Sequence, residues 1–382
     1  MVRMAVTTEL FKWARDRAGL TSAALLSRFS KLEQWESGEI QPTLRQIEDY
    51  ARATHAPVGY FFLPKPPEEP MPIPDCRTMA GRGVRQISPN LRDMIYACQQ
   101  RQDWFRDHAR TVRSDALDFV GSAKLDSPIV ETAEAIRREL SFDLDQRRDC
   151  PTWSDALRLF ISRADSIGVL VMCSGVVMNN THRPLDPEEF RGFALADNLA
   201  PLVFINGADT KSAQMFTLAH ELAHIWLGQT ALSDTTVTSQ YQNVAETWCN
   251  RVAAEVLVPL EMVRRELRKS ESLDETVARL ARRFKVSSLV VLQRLREARH
   301  ITWDELGRTY DKELRRLKSI KRSEGGGDFY LTAAVRYSRR FTRALVASTL
   351  EGRTLYRDAM RMLGISKTET FHELGRTLAF GG

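Results

Sequence analysis

His220 and His224 stand four residues apart, with Glu221 between them, in the run Phe216-Thr217-Leu218-Ala219-His220-Glu221-Leu222-Ala223-His224. On a helix that spacing places both imidazoles on one face, one turn apart. Two neutral imidazoles so placed can fill two corners of a tetrahedral zinc site, and the adjacent Glu221 carboxylate can accept a proton from an attacking water. A zinc ion of this kind needs a third protein ligand, which a carboxylate on a second helix can supply. Two carboxylates qualify downstream, Glu246 and Glu255. Asn250, one turn beyond Glu246, is placed to orient a ligating side chain through a hydrogen bond. The chemistry this set supports is metal-assisted hydrolysis. Tyr241, Arg251 and His182 are side chains whose type would suit an additional oxyanion donor.

These residues need helices packed on a support. Phe216, Ala219, Leu222, Ala223 and Trp226 recur at helical spacing, and Gly228 is a natural stop. In the next segment, Ala245, Trp248, Cys249, Val252, Ala253 and Val256 form the apolar stripe, with Glu246 at one edge and Glu255 at the other. Two β-branched runs, Ile167 to Met172 and Leu202 to Ile205, predict a small sheet. The run Ala200 to Asn206 is expected to offer the sheet edge along which an extended substrate pairs. The remainder reads as helix. The expected fold class is therefore multi-domain and mainly α, with a small β-sheet in an α+β core. The divisions expected are a helical domain at 1–64, a proline-rich linker at 65–87, a helical region at 88–150, the core at 151–262, a helical subdomain at 263–322 and a basic helical region at 328–382. Gly325-Gly326-Gly327 reads as a flexible joint before the last of these.

Composition excludes other classes. Apolar residues make up 43% and charged residues 27% of the 382, which rules out wholesale disorder. No long uncharged apolar stretch suggests a membrane span, and Lys12, Arg15, Asp16 and Arg17 stand where an export signal would be apolar, so a cytoplasmic setting is expected. Five cysteines (Cys76, Cys98, Cys150, Cys173, Cys249) without any C-x-x-C spacing fit reduced thiols. Charge is uneven: residues 1–260 hold 28 Lys+Arg against 33 Asp+Glu, a net −5, and residues 261–382 hold 27 against 16, a net +11. The basic block suits a polyanionic or acidic partner, or simply a solvated helical surface.

Taken together, these motifs resemble the ImmA/IrrE family of zinc metallopeptidases, in the form that carries an N-terminal XRE-like helix-turn-helix. The resemblance rests on Pro74-Asp75-Cys76-Arg77, on Phe204-Ile205-Asn206 ahead of the His220–His224 helix, and on Glu246-x-x-x-Asn250-x-x-Ala253-Ala254-x-x-Leu257-x-Pro259. It implies a zincin-like core with His220, His224 and Glu246 as zinc ligands and Glu221 as catalytic base. It also implies a protein substrate of regulatory type, such as a repressor or antitoxin-like protein, in mobile-element, stress or toxin–antitoxin control, with DNA or a neighbouring-gene toxin as further partners. At the N-terminus, Trp35-Glu36-x-Gly38-x-x-x-Pro42-Thr43 resembles the XRE signature, but Thr21 to Trp35 is shorter than the usual pair of helices. Through Tyr50 the region balances seven basic against seven acidic residues, whereas phosphate contacts need a basic excess. Helix-turn-helix-like patterns recur at Val277–Leu295 and Ala359–Ser366, where packing is the expected role. The second function class compatible with the sequence is a DNA-binding regulator or antitoxin whose peptidase site is vestigial or structural.

Overall fold

The computed structural model describes residues 3–70, 72–75, 87–233, 244–319 and 336–380. The chain divides into two compact units, one of residues 1–72 and 83–95, the other of residues 73–82 and 96–382.

The first unit is helical: α1 (Thr8–Arg17), α2 (Ser22–Leu26), α3 (Leu32–Ser37) and α4 (Leu44–Thr54), followed by a 3-10 turn at Val58–Phe62. Its core is aromatic. Phe11, Phe29, Trp35, Tyr50 and Phe61 are all buried, and the Tyr50 hydroxyl donates to the Phe11 carbonyl at 3.0 Å. Gly38 ends α3 in the left-handed conformation (φ 79°), which a side chain would resist. The short spacing read from sequence is real, since α2 has five residues and α3 six. The proline-rich run up to Pro70 belongs to this unit, where Glu69 accepts from Arg17 Nε at 2.7 Å and Nη2 at 3.1 Å and also pairs with Arg92.

The second unit holds α5 from Tyr96 onward (the helix spans Pro89–Thr111), then α6 (Ile129–Glu139), α7 (Leu144–Asp149) and α8 (Trp153–Ser166). Next come β1 (Leu170–Ser174), β2 (Val176–Val177), β3 (Asn180–Pro184), β4 (Gly192–Leu195) and β5 (Leu202–Asn206). Then follow α9 (Lys211–Leu227), β6 (Ala231–Ser233), α10 (Val244–Leu257), α11 (Leu260–Glu266), α12 (Leu273–Phe284), α13 (Ser288–Glu297) and α14 (Trp303–Ser319). Among the described residues the main sheet runs β1-β5-β4-β6, with β1 and β5 parallel and β4 antiparallel to both its neighbours; β2 and β3 form a separate ribbon. The two predicted runs therefore form β1 and β5. The expected sheet edge is corrected: β5 is buried at all five positions and lies between β1 and β4, so it has no free side for a substrate. The outer strands are β1 and β6, and at β6 Leu232 N donates to the Pro74 carbonyl at 2.9 Å, with Asp75 bridged to Leu232.

One apolar core runs from Phe160 and Val171 through Leu222, Trp226 and Val252 to Leu280, Phe284, Val291 and Leu295. The Val277–Leu295 pattern thus spends its apolar face on the same core as α9 and α10. The last region comprises α15 (Arg339–Leu350), α16 (Tyr356–Met362) and α17 (Thr368–Phe380). Asn179, in the β2–β3 turn, donates to the Leu363 and Gly364 carbonyls at 3.1 and 2.6 Å, and Arg101 Nε donates to the Met362 carbonyl at 2.9 Å. The turn of the Ala359–Ser366 pattern is thereby held within the chain. The Gly325–Gly327 joint lies outside the described residues. No helix of the described residues is long and apolar enough to cross a membrane.

Candidate metal centre

Thr210 opens α9 by accepting from Ala213 N at 3.3 Å, and Gly228 closes it in the left-handed conformation (φ 67°). The helix is not amphipathic in the ordinary sense, because every residue from Gln214 to Trp226 is buried. It lies between the sheet and α10, and a helix enclosed on all sides can carry His220, Glu221 and His224 at zero exposure. Its close approach to β4 depends on Gly192. A Cβ there would lie 2.5 Å from Thr217 Cγ2, 2.8 Å from the Phe204 carbonyl and 3.1 Å from Glu221 Oε1.

The other wall is α10, which is fixed at its C-terminal end by guanidiniums. Arg137 donates to the Glu255 carbonyl at 2.7 Å, Arg294 Nε to the Val258 carbonyl at 2.8 Å, and Arg147 to the Leu257 carbonyl. Cations at this end oppose the negative pole of the helix dipole. Glu255 itself pairs with Arg294 and accepts from Leu260 N at 3.3 Å. Of the two carboxylates left open by the sequence, then, Glu255 is engaged away from the histidines and Glu246 faces them.

His220 Nε2 and His224 Nε2 are 3.1 Å apart, His220 Nε2 and Glu246 Oε2 3.3 Å, and His224 Nε2 and Glu246 Oε1 3.1 Å. Donors about 2.0–2.1 Å from a tetrahedral ion stand roughly 3.3 Å from one another, so this triangle matches the footprint of such an ion. His220 Nδ1 is 3.0 Å from Asn250 Oδ1, an acceptor, which places the ring proton on Nδ1 and leaves the Nε2 lone pair bare. Both Glu246 oxygens are buried and accept no hydrogen bond from any described residue, although two imidazole nitrogens lie close by. Buried carboxylate oxygens lacking a donor, facing two imidazole nitrogens that crowd one another at 3.1 Å, are what a cation would satisfy. His220, His224 and Glu246 are the cluster among the described residues that could hold a metal ion.

The electrostatics agree. Burial disfavours charge on Glu246, but the two facing imidazoles outweigh it and hold the carboxyl far below the usual range. Burial also opposes charge on His220, where Glu246 prevails and raises the pKa; at His224 burial prevails and lowers it. Glu221 is different. Burial pushes its carboxyl up to about 8, against the opposing influence of His220. Burial by itself thus favours the protonated form of Glu221, which lies within a turn of the metal-binding face but outside the ligand triangle; a cation held by that triangle would favour the carboxylate, the form that can accept a proton.

Of the oxyanion candidates, His182 is exposed on the β2–β3 ribbon and Arg251 is exposed on α10, whereas Tyr241 lies outside the described residues. Cys76 and Arg77 lie outside them as well. Sequence reasoning missed two residues that touch Glu221. Ser233 Oγ donates to Glu221 Oε2 at 3.3 Å, and Gly192 faces Oε1. A glycine directly before the apolar run Phe193-Ala194-Leu195 was a usable signal of close backbone approach, whereas a serine at the end of a three-residue strand gave none.

Asn250 provides a direct test of this geometry. Replacement by alanine removes the acceptor that fixes the His220 tautomer, and metal affinity is expected to fall roughly 10- to 100-fold. Competition against a chromophoric chelator measures it; unchanged affinity would mean that the 3.0 Å contact plays no part in holding the imidazole.

Residues 164–296 match the model of the IrrE N-terminal-like domain, and residues 337–377 match a domain of unknown function (DUF8813). The radiation response metalloprotease IrrE of Deinococcus radiodurans is 35% identical over 101 residues, covering 25% of this chain and 31% of that protein. The protein of the same name from Deinococcus deserti is 35% identical over 101 residues, covering 25% of this chain and 36% of its own. The chain thus spans about a third of the length of these curated relatives. The matched segment contains the sheet, α9 with its histidine pair and α10 with Glu246, so it is over residues 164–296 that the chain is similar to the IrrE N-terminal-like domain.

Proposed function

We propose that the protein is a zinc-dependent, site-specific endopeptidase that cleaves a regulatory protein. The observation that carries this reading is the convergence of three buried donors, His220, His224 and Glu246, with Glu221 beside them as a base that is not a ligand. A zinc ion held by these three would act as a Lewis acid toward a peptide carbonyl and make water more acidic. Glu221 takes the proton of the attacking water and returns it to the leaving amine, so the peptide bond breaks with no net change in the protein's protonation. Asn250 keeps the His220 lone pair turned inward, and the enclosing apolar core keeps competing water away.

The name of the matched relatives, radiation response metalloprotease, supports a place in stress control; a repressor or antitoxin-like protein as substrate and the cytoplasm as setting are our own proposal. In this reading the first unit docks a protein rather than reading DNA. Helix α3 is six residues long, exposes Glu33 and holds Glu36 in an ion pair with Arg15, which leaves little for phosphate contacts.

The test is to incubate the zinc-loaded protein with each helix-turn-helix repressor or antitoxin encoded beside it and follow the products by intact-mass spectrometry. Cleavage of one of them at a single bond is expected, stopped by a chelator and restored by zinc. Identical cleavage in the chelated sample would sink the metallopeptidase reading.

A further inference from the structure

Ser233 is fully buried at the end of β6, and its hydroxyl donates to one oxygen of Glu221 at 3.3 Å. The residue opposite it across the sheet is Gly192, whose missing side chain leaves room for the other oxygen. The Glu221 carboxyl therefore sits in a slot made by two neighbouring strands, with a hydroxyl on one side and a bare α-carbon on the other. A strand of three residues would fray if held along one side only. β6 is held along both, by β4 and by the Pro74 carbonyl that accepts from Leu232 N at 2.9 Å. The Ser233 hydroxyl is thus carried on a fixed backbone, inside the core, with the carboxylate as its acceptor.

We propose that Ser233 is the positioning residue for the proton-transferring carboxylate. It holds Oε2 against the β4–β6 edge and leaves Oε1, which has no hydrogen-bond partner among the described residues, as the oxygen that receives the proton. This rests on the peptidase reading above. The substitution to fear is thus a loss of aim at Glu221, with the metal ligands untouched, because Ser233 contacts none of them in the hydrogen-bond network.

Acetohydroxamic acid is a suitable probe, since on binding a metal as its anion it passes the hydroxyl proton to a neighbouring carboxylate. Its affinity for the zinc-loaded full chain is measured by calorimetry, alongside zinc content, for the wild type, Ser233→Ala, Glu221→Gln and the double variant. Ser233→Ala is expected to keep the zinc content of the wild type and to bind the probe roughly three- to tenfold more weakly, the range of one hydrogen bond to a polar partner. In the Glu221→Gln background the serine change is expected to have no further effect, because its influence runs through that carboxylate. Wild-type affinity in Ser233→Ala beside a weakened Glu221→Gln would overturn the role of Ser233 alone. Additive losses would do the same, since Ser233 would then act elsewhere. Wild-type affinity in Glu221→Gln would instead remove the base on which both readings depend. Should Ser233→Ala fail to fold, Ser233→Cys, nearly equal in volume and a weak donor, carries the same comparison.

Discussion

Glu221→Gln is expected to leave a folded, metal-binding protein that no longer cleaves its substrate. The amide matches the carboxylate in shape and can still accept from the Ser233 hydroxyl, so the slot between β4 and β6 stays filled. What it loses is the ability to take a proton. A single general base contributes roughly 10²- to 10⁴-fold, and here the same group also returns the proton to the leaving amine, so the loss is expected at the top of that range or beyond. The variant should also be no less stable than the parent in the metal-free state, because burial already drives the Glu221 carboxyl toward its uncharged form, with a pKa of about 8. Co-expression of each form with the substrate, read by gel and mass spectrometry, gives the activity; thermal unfolding and metal analysis give the rest. Undiminished cleavage by the glutamine variant would falsify the assigned role.

The second large effect separates the two glutamates of α10. Glu246→Gln removes a charged donor from the triangle with His220 and His224, and metal retention after dialysis should fall by more than the roughly 10- to 100-fold expected for an outer partner such as Asn250. Glu255→Gln should retain the metal and lose stability instead, since the buried Arg294 guanidinium keeps Glu297 and the Val258 carbonyl but loses its buried carboxylate; the cost is expected below the roughly 3–5 kcal/mol of a fully broken buried pair. Metal content and urea unfolding of the two variants are the measurements. The reverse pattern, with Glu255→Gln metal-free and Glu246→Gln loaded, would move the third ligand to Glu255.

Much of this site was legible before any coordinates. The pairing of His220 with His224 follows from the helical repeat, and the stripe of six apolar residues on the second helix narrowed the third carboxylate to Glu246 or Glu255, one at each edge. The two runs that became β1 and β5 announced themselves through β-branched residues. Strand order was not legible, because the distance in sequence between β5, β4 and β6 carries no information about which of them ends at an edge. That is why Ala200–Asn206 was read as a substrate-pairing edge when it is the most enclosed strand. The burial of α9 on all faces was equally hidden, since Gln214, Thr217, His220 and Glu221 read as a polar face until α10 and the sheet are seen to close over them. The proline-rich run misled for a related reason. Proline shows that a segment cannot be helix, but says nothing about whether an acidic side chain within it is anchored.

That anchor bears on where this chain can be cut. Arg17 and Arg92 have side chains only 7% and 10% exposed, and both depend on Glu69, itself 13% exposed. A fragment ending at Pro64, the natural place to stop when the prolines are read as a tether, would discard the shared counter-charge and leave the Arg17 guanidinium with the His55 carbonyl but without the Glu69 carboxylate. A fragment reaching past Glu69 keeps it, and for the same reason the Arg17–Ala18 bond at the end of α1 should resist trypsin as long as Glu69 holds the Arg17 guanidinium.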